Sequence, residues 1–514
     1  MQGLLQARAY PHPVETVELI ETHISWVLLT GEFAYKIKRP IHYRFVDMRS
    51  AVHRAYLCRE ELRLNRRFAP ELYLQVCSIT LDSGDARIDG TGAAVEHAVQ
   101  MRQFAKGEEL RELLAEDAIT PSALEVFGHD VARIHARLPV ARDQHPLGHP
   151  DAWRHIALDN IAECLQVAEA TGQAEHSLML EVQGRLLAEI EHARPLRVRR
   201  RGAGRVRECH GDLHAGNVVR HGGQLLAFDC LEFDPALRWI DVADEIAFLL
   251  VDLEFFQRPA CGHAFLSAYL TESGDYQAAR LLGLFKAHRA LVRARVTALC
   301  AQPRRTGRSD ASSQFHEYLE CARRALEIHA PFLILMCGLS GSGKTWLARQ
   351  LAPPLAAMHL RSDIERRRGH HGSDVASRGP RHSAEGLYST EAMKEVYERL
   401  LACTADLLAG GYTAIVDATF ARREDRERFR ILSKEVGAKC CIAYCHAPDS
   451  VLQHRIVDRL ARGDDPSEAD LEVLSWQRER FQRPDSSEAD MVVEVLTTES
   501  DAVERLLRIL PQRG

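Results

Sequence analysis

The hydrophobic pattern changes character along the chain. Near the N-terminus it is strand-like: VELIE, then WVLLT, a Thr30–Gly31 turn, and FAYKIK. Residues 51–68 carry apolar groups at helical spacing, and 94–104 (AVEHAVQMRQF) alternate as an extended segment. From about 120 to 193 the period is mainly helical. A strand–loop–strand unit, RECHGDLHAGNVVRHGGQLLAFD, then interrupts the helices, which resume to residue 330. Strands first, helices later and one loop unit between them predict a bilobal α+β arrangement.

A polar, breaker-rich stretch at 302–313 (QPRRTGRSDASS) precedes a helical run, FHEYLECARRALEIH. Pro331 stops that run and PFLILMCG begins as a buried strand. Beyond it, apolar strands (FLILMCG, TAIVDAT, KCCIAYCH) alternate with helices, predicting an α/β domain with a parallel, helix-covered sheet. The expected domains are therefore 1–330 and 331–514.

The length of 514 residues is more than one core usually serves. The formal charge of -6, from 66 basic and 72 acidic residues, offers no general coat for nucleic acid or membrane. No run reaches the length of a membrane span, and MQGLLQARAYPHP lacks the apolar core of a secretory signal. Thirteen cysteines without metal-ligand spacing predict buried thiols in a reduced, cytoplasmic protein. Cys440, Cys441, Cys445 and His446 lie on one apolar strand, where core thiols are the preferred reading.

Two constellations carry chemistry. GLSGSGKT at 338–345 fits GxxxxGK[ST] and stands between a strand and a helix. Phosphate oxygens need several backbone N–H donors at close range. Gly338, Gly341 and Gly343 give the clearance, with Ser340 and Ser342 in the same cradle. Lys344 is placed for the β- and γ-phosphates of ATP, and Thr345 for Mg²⁺. Asp363 is expected at the end of the next strand, able to accept a proton from an acceptor hydroxyl, with Arg366 one turn on for an anionic substrate. Asp417 closes an apolar run and is a candidate to support Mg²⁺. Arg455, Arg459 and Arg462 share one helical face that can close over phosphates.

In the second constellation, HGDLHAGN places Asp212 and Asn217 five positions apart, and a hairpin returns Asp229 beside them. Phosphoryl transfer uses such a set: one carboxylate to orient the attacking hydroxyl, and an amide with a second carboxylate for Mg²⁺. Upstream, Lys36 and Lys38 share one face of a strand, and Glu61 falls on the apolar side of the following helix. A Lys36–Glu61 ion pair is expected, with Glu60 the competing partner.

Residues 331–485 resemble the P-loop kinases that include phage polynucleotide kinase, zeta-toxin kinases and small-metabolite kinases. The DxxR pair (Asp363, Arg366) and the RxxxR pair (Arg455, Arg459) are similar to the polynucleotide kinase's acceptor-base and lid patterns, which implies a general-base role for Asp363. Residues 15–300 resemble the aminoglycoside phosphotransferase and choline-kinase-like superfamily. That likeness implies that Asp212 is the catalytic base, that Asn217 and Asp229 are metal ligands, and that Lys36 holds the α/β-phosphates. It also implies an adenine-receiving hinge around Gln100 and Met101. One departure is that ETHIS stands where protein kinases have GxGxxG, offering Thr22, His23 and Ser25 as donors. The layout resembles bacterial fusions of these two domain types.

The leading expectation is a bifunctional kinase using ATP and Mg²⁺ at both sites, each acting on a hydroxyl of a small molecule. Two successive phosphorylations of one metabolite would account for the fusion. The alternatives are nucleic-acid end repair by a 5′-hydroxyl kinase, and an ATP-driven switch with a degenerate kinase-like domain. Seven arginines within 194–207 offer an anion or a nucleic-acid backbone a landing place, but a solvated hairpin is the preferred reading. No aromatics interleave to stack bases.

Overall fold

The computed structural model describes residues 1–43, 46–82, 84–142, 145–300, 308–370, 390–462 and 469–510. The chain forms two compact units, one comprising 1–266 with 284–326 and the other 267–283 with 327–514. The expected seam at 331 differs from this division by a few residues. The grouping of 267–283 with the C-terminal unit was not anticipated, because linear patterning carries no record of long-range packing.

In the first unit a six-stranded antiparallel sheet runs Glu18–Glu21, Ser25–Leu29, Phe33–Lys38, Ala94–Arg102, Tyr73–Asp82, Asp85–Ile88. The first three strands and Ala94–Arg102 match the alternating segments of the sequence; the pair spanning 73–88 was not foreseen. Leu4, Ala9 and Tyr10 cover one sheet face with Leu28, Tyr35, Ile37 and Ile79. The helix Ala51–Asn65 begins at Ser50, whose side chain accepts from the His53 N–H, and its Cys58 packs with Tyr73 and Val99.

A helical region follows. Thr120 caps Pro121–Arg137, with Pro121 in the first turn where its missing N–H costs nothing. Gly172 separates Pro150–Thr171 from Gln173–Gly202. The loop unit then forms as Val206–Glu208, Val218–His221 and Gln224–Ala227, the last two joined at Gly222–Gly223, both at positive φ.

The arginine-rich run is not a hairpin. It continues the Gln173–Gly202 helix despite Pro195, because its arginines are used internally. Arg194 pairs with Asp151, Arg197 lies 3.9 Å from the Trp153 ring centroid, and Arg200, fully buried, makes two 2.8 Å bonds to Asp241. Arg207 donates to the carbonyls of His135, Ala136 and Leu138 at the C-terminal end of a helix. Residues 308–313, read as loop, are instead the first turns of the helix Arg308–Ala325.

The second unit holds a five-stranded, all-parallel sheet in the order Met358–Arg361, Ala414–Asp417, Phe332–Cys337, Lys439–His446, Met491–Leu496. Its central strands are buried on both faces, which is why they read as continuous apolar runs rather than alternating ones. Cys440, Cys441 and Cys445 are buried in this sheet. No described cysteine is in a disulfide, and no described helix is long and apolar enough to cross a membrane.

Arg426, on the helix Arg423–Glu435, is fully buried. It binds both oxygens of Glu488 (2.6 and 3.0 Å) and the carbonyls of Phe420 and Gln482 (2.7 and 2.9 Å). Arg426→Ala leaves Glu488 buried without its counter-charge. It is expected to destabilise the C-terminal unit by about 3–5 kcal/mol. Chemical unfolding followed by the fluorescence of Trp346 and Trp476 measures this; an unchanged midpoint contradicts it.

Candidate functional sites

In the first unit the strand Phe33–Lys38 turns Lys36 and Lys38 to the same side, and both are buried. Lys36 Nζ lies 2.9 Å from Glu61 Oε1 and also pairs with Asp229. Lys38 Nζ lies 2.5 Å from Glu61 Oε2 and pairs with Glu232. Glu61 thus bridges the two lysines, while Glu60 is directed to Arg63 and Arg238. Burial alone would lower the Lys36 pKa, but Asp229 and Glu61 outweigh it and hold the ammonium well above the ordinary lysine value. Asp229 is correspondingly lowered: burial opposes its charge, and Lys36 and Lys38 more than compensate.

Asn217 Nδ2 donates to the carboxylate and to the carbonyl of Asp212, each at 2.9 Å. That leaves its amide oxygen available as an acceptor. His214 Nε2 stands 3.5 Å from Asp212 Oδ2. Burial would raise the Asp212 pKa, but His214, His210 and Arg293 outweigh it and bring it to about 2. His210 braces the loop: its Nε2 lies 2.9 Å from the Phe228 carbonyl, and its Nδ1 accepts the Asp212 N–H at 3.3 Å. Asp229 adopts φ 65, a conformation that costs free energy in a non-glycine residue. It is held there by the Tyr73 hydroxyl, which accepts its N–H at 3.0 Å, and by Asn65, which accepts the next N–H at 2.9 Å. The structure therefore brings Lys36, Glu61, Asp212, Asn217 and Asp229 into one linked set.

Two carboxylates that sequence reasoning missed fasten this loop from the helix Val242–Phe255. Glu245 accepts the His210 and Gly211 N–H groups at 2.7 and 3.1 Å, and Asp252 accepts the Ala215 N–H at 2.9 Å. Seven residues is two helical turns, so one face delivers both. The signal was present: ionisable residues inside the apolar run VADEIAFLLVDLEF need buried partners. Lys38 and Glu232 were likewise not assigned. The Thr22–Ser25 turn bonds to itself through the Thr22 hydroxyl. Gln100 is buried, accepting from Gln75 and donating to the Tyr35 hydroxyl, and so belongs to the sheet.

In the second unit the phosphate-loop residues lie at the carboxyl edge of the parallel sheet, where ligands of such sheets bind. A Cβ on Gly338 would meet the Cys445 carbonyl oxygen at 2.2 Å, so only glycine fits. Gly343, at φ 87, opens the helix Lys344–Leu351, whose first N–H groups have no intrahelical acceptor. The Ser342 hydroxyl is buried without a partner. Lys344 Nζ donates to the Leu339 carbonyl at 2.9 Å. A cavity of 550 Å³ opens here, lined among others by Lys344, Thr345, Asp363, Arg366, Asp417 and Arg455.

Thr345 Oγ1 donates to Asp417 Oδ2 at 2.6 Å, and His359 Nε2 stands 3.3 Å from the same oxygen. Burial would raise the Asp417 pKa, but His359, Lys344 and Thr345 bring it to about 2. Arg366 donates to Asp363 at 3.0 Å. Arg455 reaches the Gly341 carbonyl and Thr497, and Arg459 the Ala469 carbonyl at 2.6 Å. Arg459 and Arg462 also line the cavity, and Gln477 accepts the Ser340 N–H at 2.9 Å. Gln477, Thr497 and His359 carried no sequence signal, being single polar residues in otherwise ordinary elements.

Both sites fit a magnesium ion by donor chemistry, since each offers hard oxygens: the Asn217 amide and Asp229 carboxylate in one, the Thr345 hydroxyl and Asp417 carboxylate in the other.

Residues 39–282 match the model of a family described as the phosphotransferase enzyme family, and residues 333–484 match that of an AAA domain. An uncharacterized protein of Mycobacterium tuberculosis (strain H37Rv) is 31% identical over 479 residues, covering 90% of this chain and 90% of its own. One from Mycobacterium bovis matches to the same extent. Among solved structures, an amicoumacin kinase in complex with AMP-PNP, Ca²⁺ and its ligand is 15% identical, covering 60% of this chain and 88% of its own with a TM-score of 0.38. A putative kinase from Chloroflexus aurantiacus is 23% identical, covering 36% and 97% with a TM-score of 0.29.

Burial pushes the Glu245 carboxyl up to about 7, against the pull of Arg289 and the two N–H donors. Unfolded, it titrates near ~4.3. Between these values the folded state holds the extra proton, so this group's stabilising contribution falls as pH rises and is gone above about 7. The full change is at most about 4 kcal/mol. Glu245→Gln is expected to flatten the stability profile of the chain between pH ~4.5 and ~7.5, measured by chemical unfolding. Parallel profiles for the two proteins contradict it.

Proposed function

We infer a double kinase from one premise: this chain belongs to the same family as the mycobacterial proteins, and joins a domain of the phosphotransferase enzyme family to an AAA domain. Both domains are of kinase type. Each transfers the γ-phosphoryl group of ATP to a hydroxyl of a small molecule. The observation that carries this reading is that each unit brings a lysine and an aspartate into one set. Lys344 and Asp363 line one cavity, and Lys36 is tied through Asp229 to the loop of Asp212.

In the first domain Lys36 grips the α- and β-phosphates, and Glu61 fixes its ammonium. Asn217 and Asp229 would hold Mg²⁺; when bound, the ion offsets charge on the phosphate oxygens. Asp212 accepts a hydrogen bond from the acceptor hydroxyl and aims it in line with the phosphorus. The hydroxyl oxygen bonds to the γ-phosphorus, the bond to the ADP oxygen breaks, and the proton passes to Asp212. A carboxylate held at about 2 is a weak base, so the proton moves late, once the new bond has made the hydroxyl acidic.

In the second domain the 338–345 backbone, with Ser340, Gly341, Ser342, Gly343 and Lys344, cradles the phosphates. Thr345 and Asp417 would hold the metal. Asp363 takes the role of Asp212, Arg366 binds the substrate, and Arg455 and Arg459 close over the transferring group. Arg194, Arg197, Arg200 and Arg207 are engaged within their own unit, which favours a small acceptor over a polynucleotide. The described cysteines form no disulfide and all but Cys403 are buried, which suits a reduced, cytoplasmic setting.

The test is ATP-dependent phosphorylation of a metabolite extract, read by mass spectrometry for wild type, Asp212→Ala and Lys344→Ala. Each variant is expected to lose one phosphorylated product by ~100-fold or more while retaining the other. Products that survive in both variants, or ATP hydrolysis without any acceptor product, overturn the reading.

A further inference from the structure

The cavity of the C-terminal unit carries more positive charge than a nucleotide accounts for. Eight lysine and arginine side chains line it against three aspartates. A magnesium-bound triphosphate brings roughly two negative charges, and Asp417 adds another. Lys344, Arg455 and Arg459 match those. Arg366 is paired with Asp363, and Arg422 is paired with Asp425 through two bonds of 3.1 and 3.2 Å. Arg480 meets Glu479 at 3.2 Å, and Arg349 and Arg462 are left in excess of the lining carboxylates.

Arg422 and Arg480 have no part in holding ATP, yet both are built into the site. Asp425 is buried, so the fork it makes with Arg422 is fixed and directs the rest of the guanidinium at the cavity. Arg480 lies 4.7 Å from the Trp476 ring centroid and donates to the Trp476 carbonyl and to Glu479. The helix Leu471–Arg480 that carries both is fastened by Gln477 to Ser340, with Thr419 3.5 Å away. Thr419 and Arg422 follow the strand that ends at Asp417, so this wall continues from the phosphate loop to the Asp363 side. Met393, Tyr397 and Trp476 add apolar surface for a carbon skeleton.

We propose that the acceptor at this site is a small alcohol that already carries a phosphate monoester, held by Arg422 and Arg480 with its hydroxyl on Asp363. The inference rests on the kinase reading of this domain. The γ-phosphorus–oxygen bond to ADP breaks, a new bond to the alcohol oxygen forms, the proton goes to Asp363, and the product bears two phosphates. A phosphorylation of the same alcohol must come first, which is the class of reaction assigned to the N-terminal domain.

The test uses the full chain loaded with Mg²⁺ and AMP-PNP, titrated calorimetrically with inorganic phosphate. Wild type is expected to bind phosphate, and Arg422→Gln/Arg480→Gln to bind it roughly tenfold or more weakly with AMP-PNP affinity unchanged. In parallel, Asp212→Ala is offered ATP with alcohols and their monophosphates in pairs. Preference for the monophosphates, lost in the arginine variant, supports the proposal. Equal phosphate binding by wild type and variant overturns it, as does preference for the free alcohols or for a 5′-hydroxyl oligonucleotide. Failure of wild type to bind AMP-PNP is a different result, and removes the kinase reading beneath it.

Discussion

Charge taken out of water has to be met by opposite charge or by aligned dipoles, and both domains are arranged around that constraint. In the first, two buried lysines and three carboxylates form a chain from Asp229 through Lys36, Glu61 and Lys38 to Glu232. It ties the sheet, the first helix and the loop after the hairpin into one object. Removing either lysine leaves buried carboxylates without their counter-charge, so the geometry around Asp229 follows from the electrostatics. In the second domain the work is done by backbone: a glycine-rich turn and a helix N-terminus present donors, with one lysine among them.

The two solutions differ in rigidity. Asp212 and Asn217 stand on a loop whose N–H groups are held by Glu245 and Asp252, carboxylates of a helix buried on nearly all sides. Asp363 opens a helix directly at a strand end, and its partner Arg366 is one turn along the same helix. One aspartate is therefore positioned through tertiary contacts and the other through local geometry.

That difference explains what the sequence revealed. The phosphate loop was legible because its geometry is local: glycine where a Cβ would strike the Cys445 carbonyl, lysine and threonine in fixed order. The parallel strands were legible because burial on both faces leaves unbroken apolar runs. The Lys36–Glu61 contact was readable as a need, since a carboxylate on an apolar helix face requires a partner, but the second lysine and Glu232 completing the chain were not. The arginine run misled because charge density in sequence says nothing of partners. Asp151, Asp241 and the end of the Pro121–Arg137 helix, which receive those arginines, are distant in the chain. The strands spanning 73–88 were missed for a related reason: their register is set by pairing with Ala94–Arg102 rather than by their own pattern.

The central claim is that one chain holds two independent nucleotide sites on unrelated scaffolds. Calorimetric titration of AMP-PNP with Mg²⁺ into the full chain tests it most directly. The account predicts two nucleotides bound per chain, falling to one in Lys36→Ala and to one in Lys344→Ala, with the surviving site unchanged in each. A single nucleotide per wild-type chain, or loss of both sites from either substitution, would contradict it.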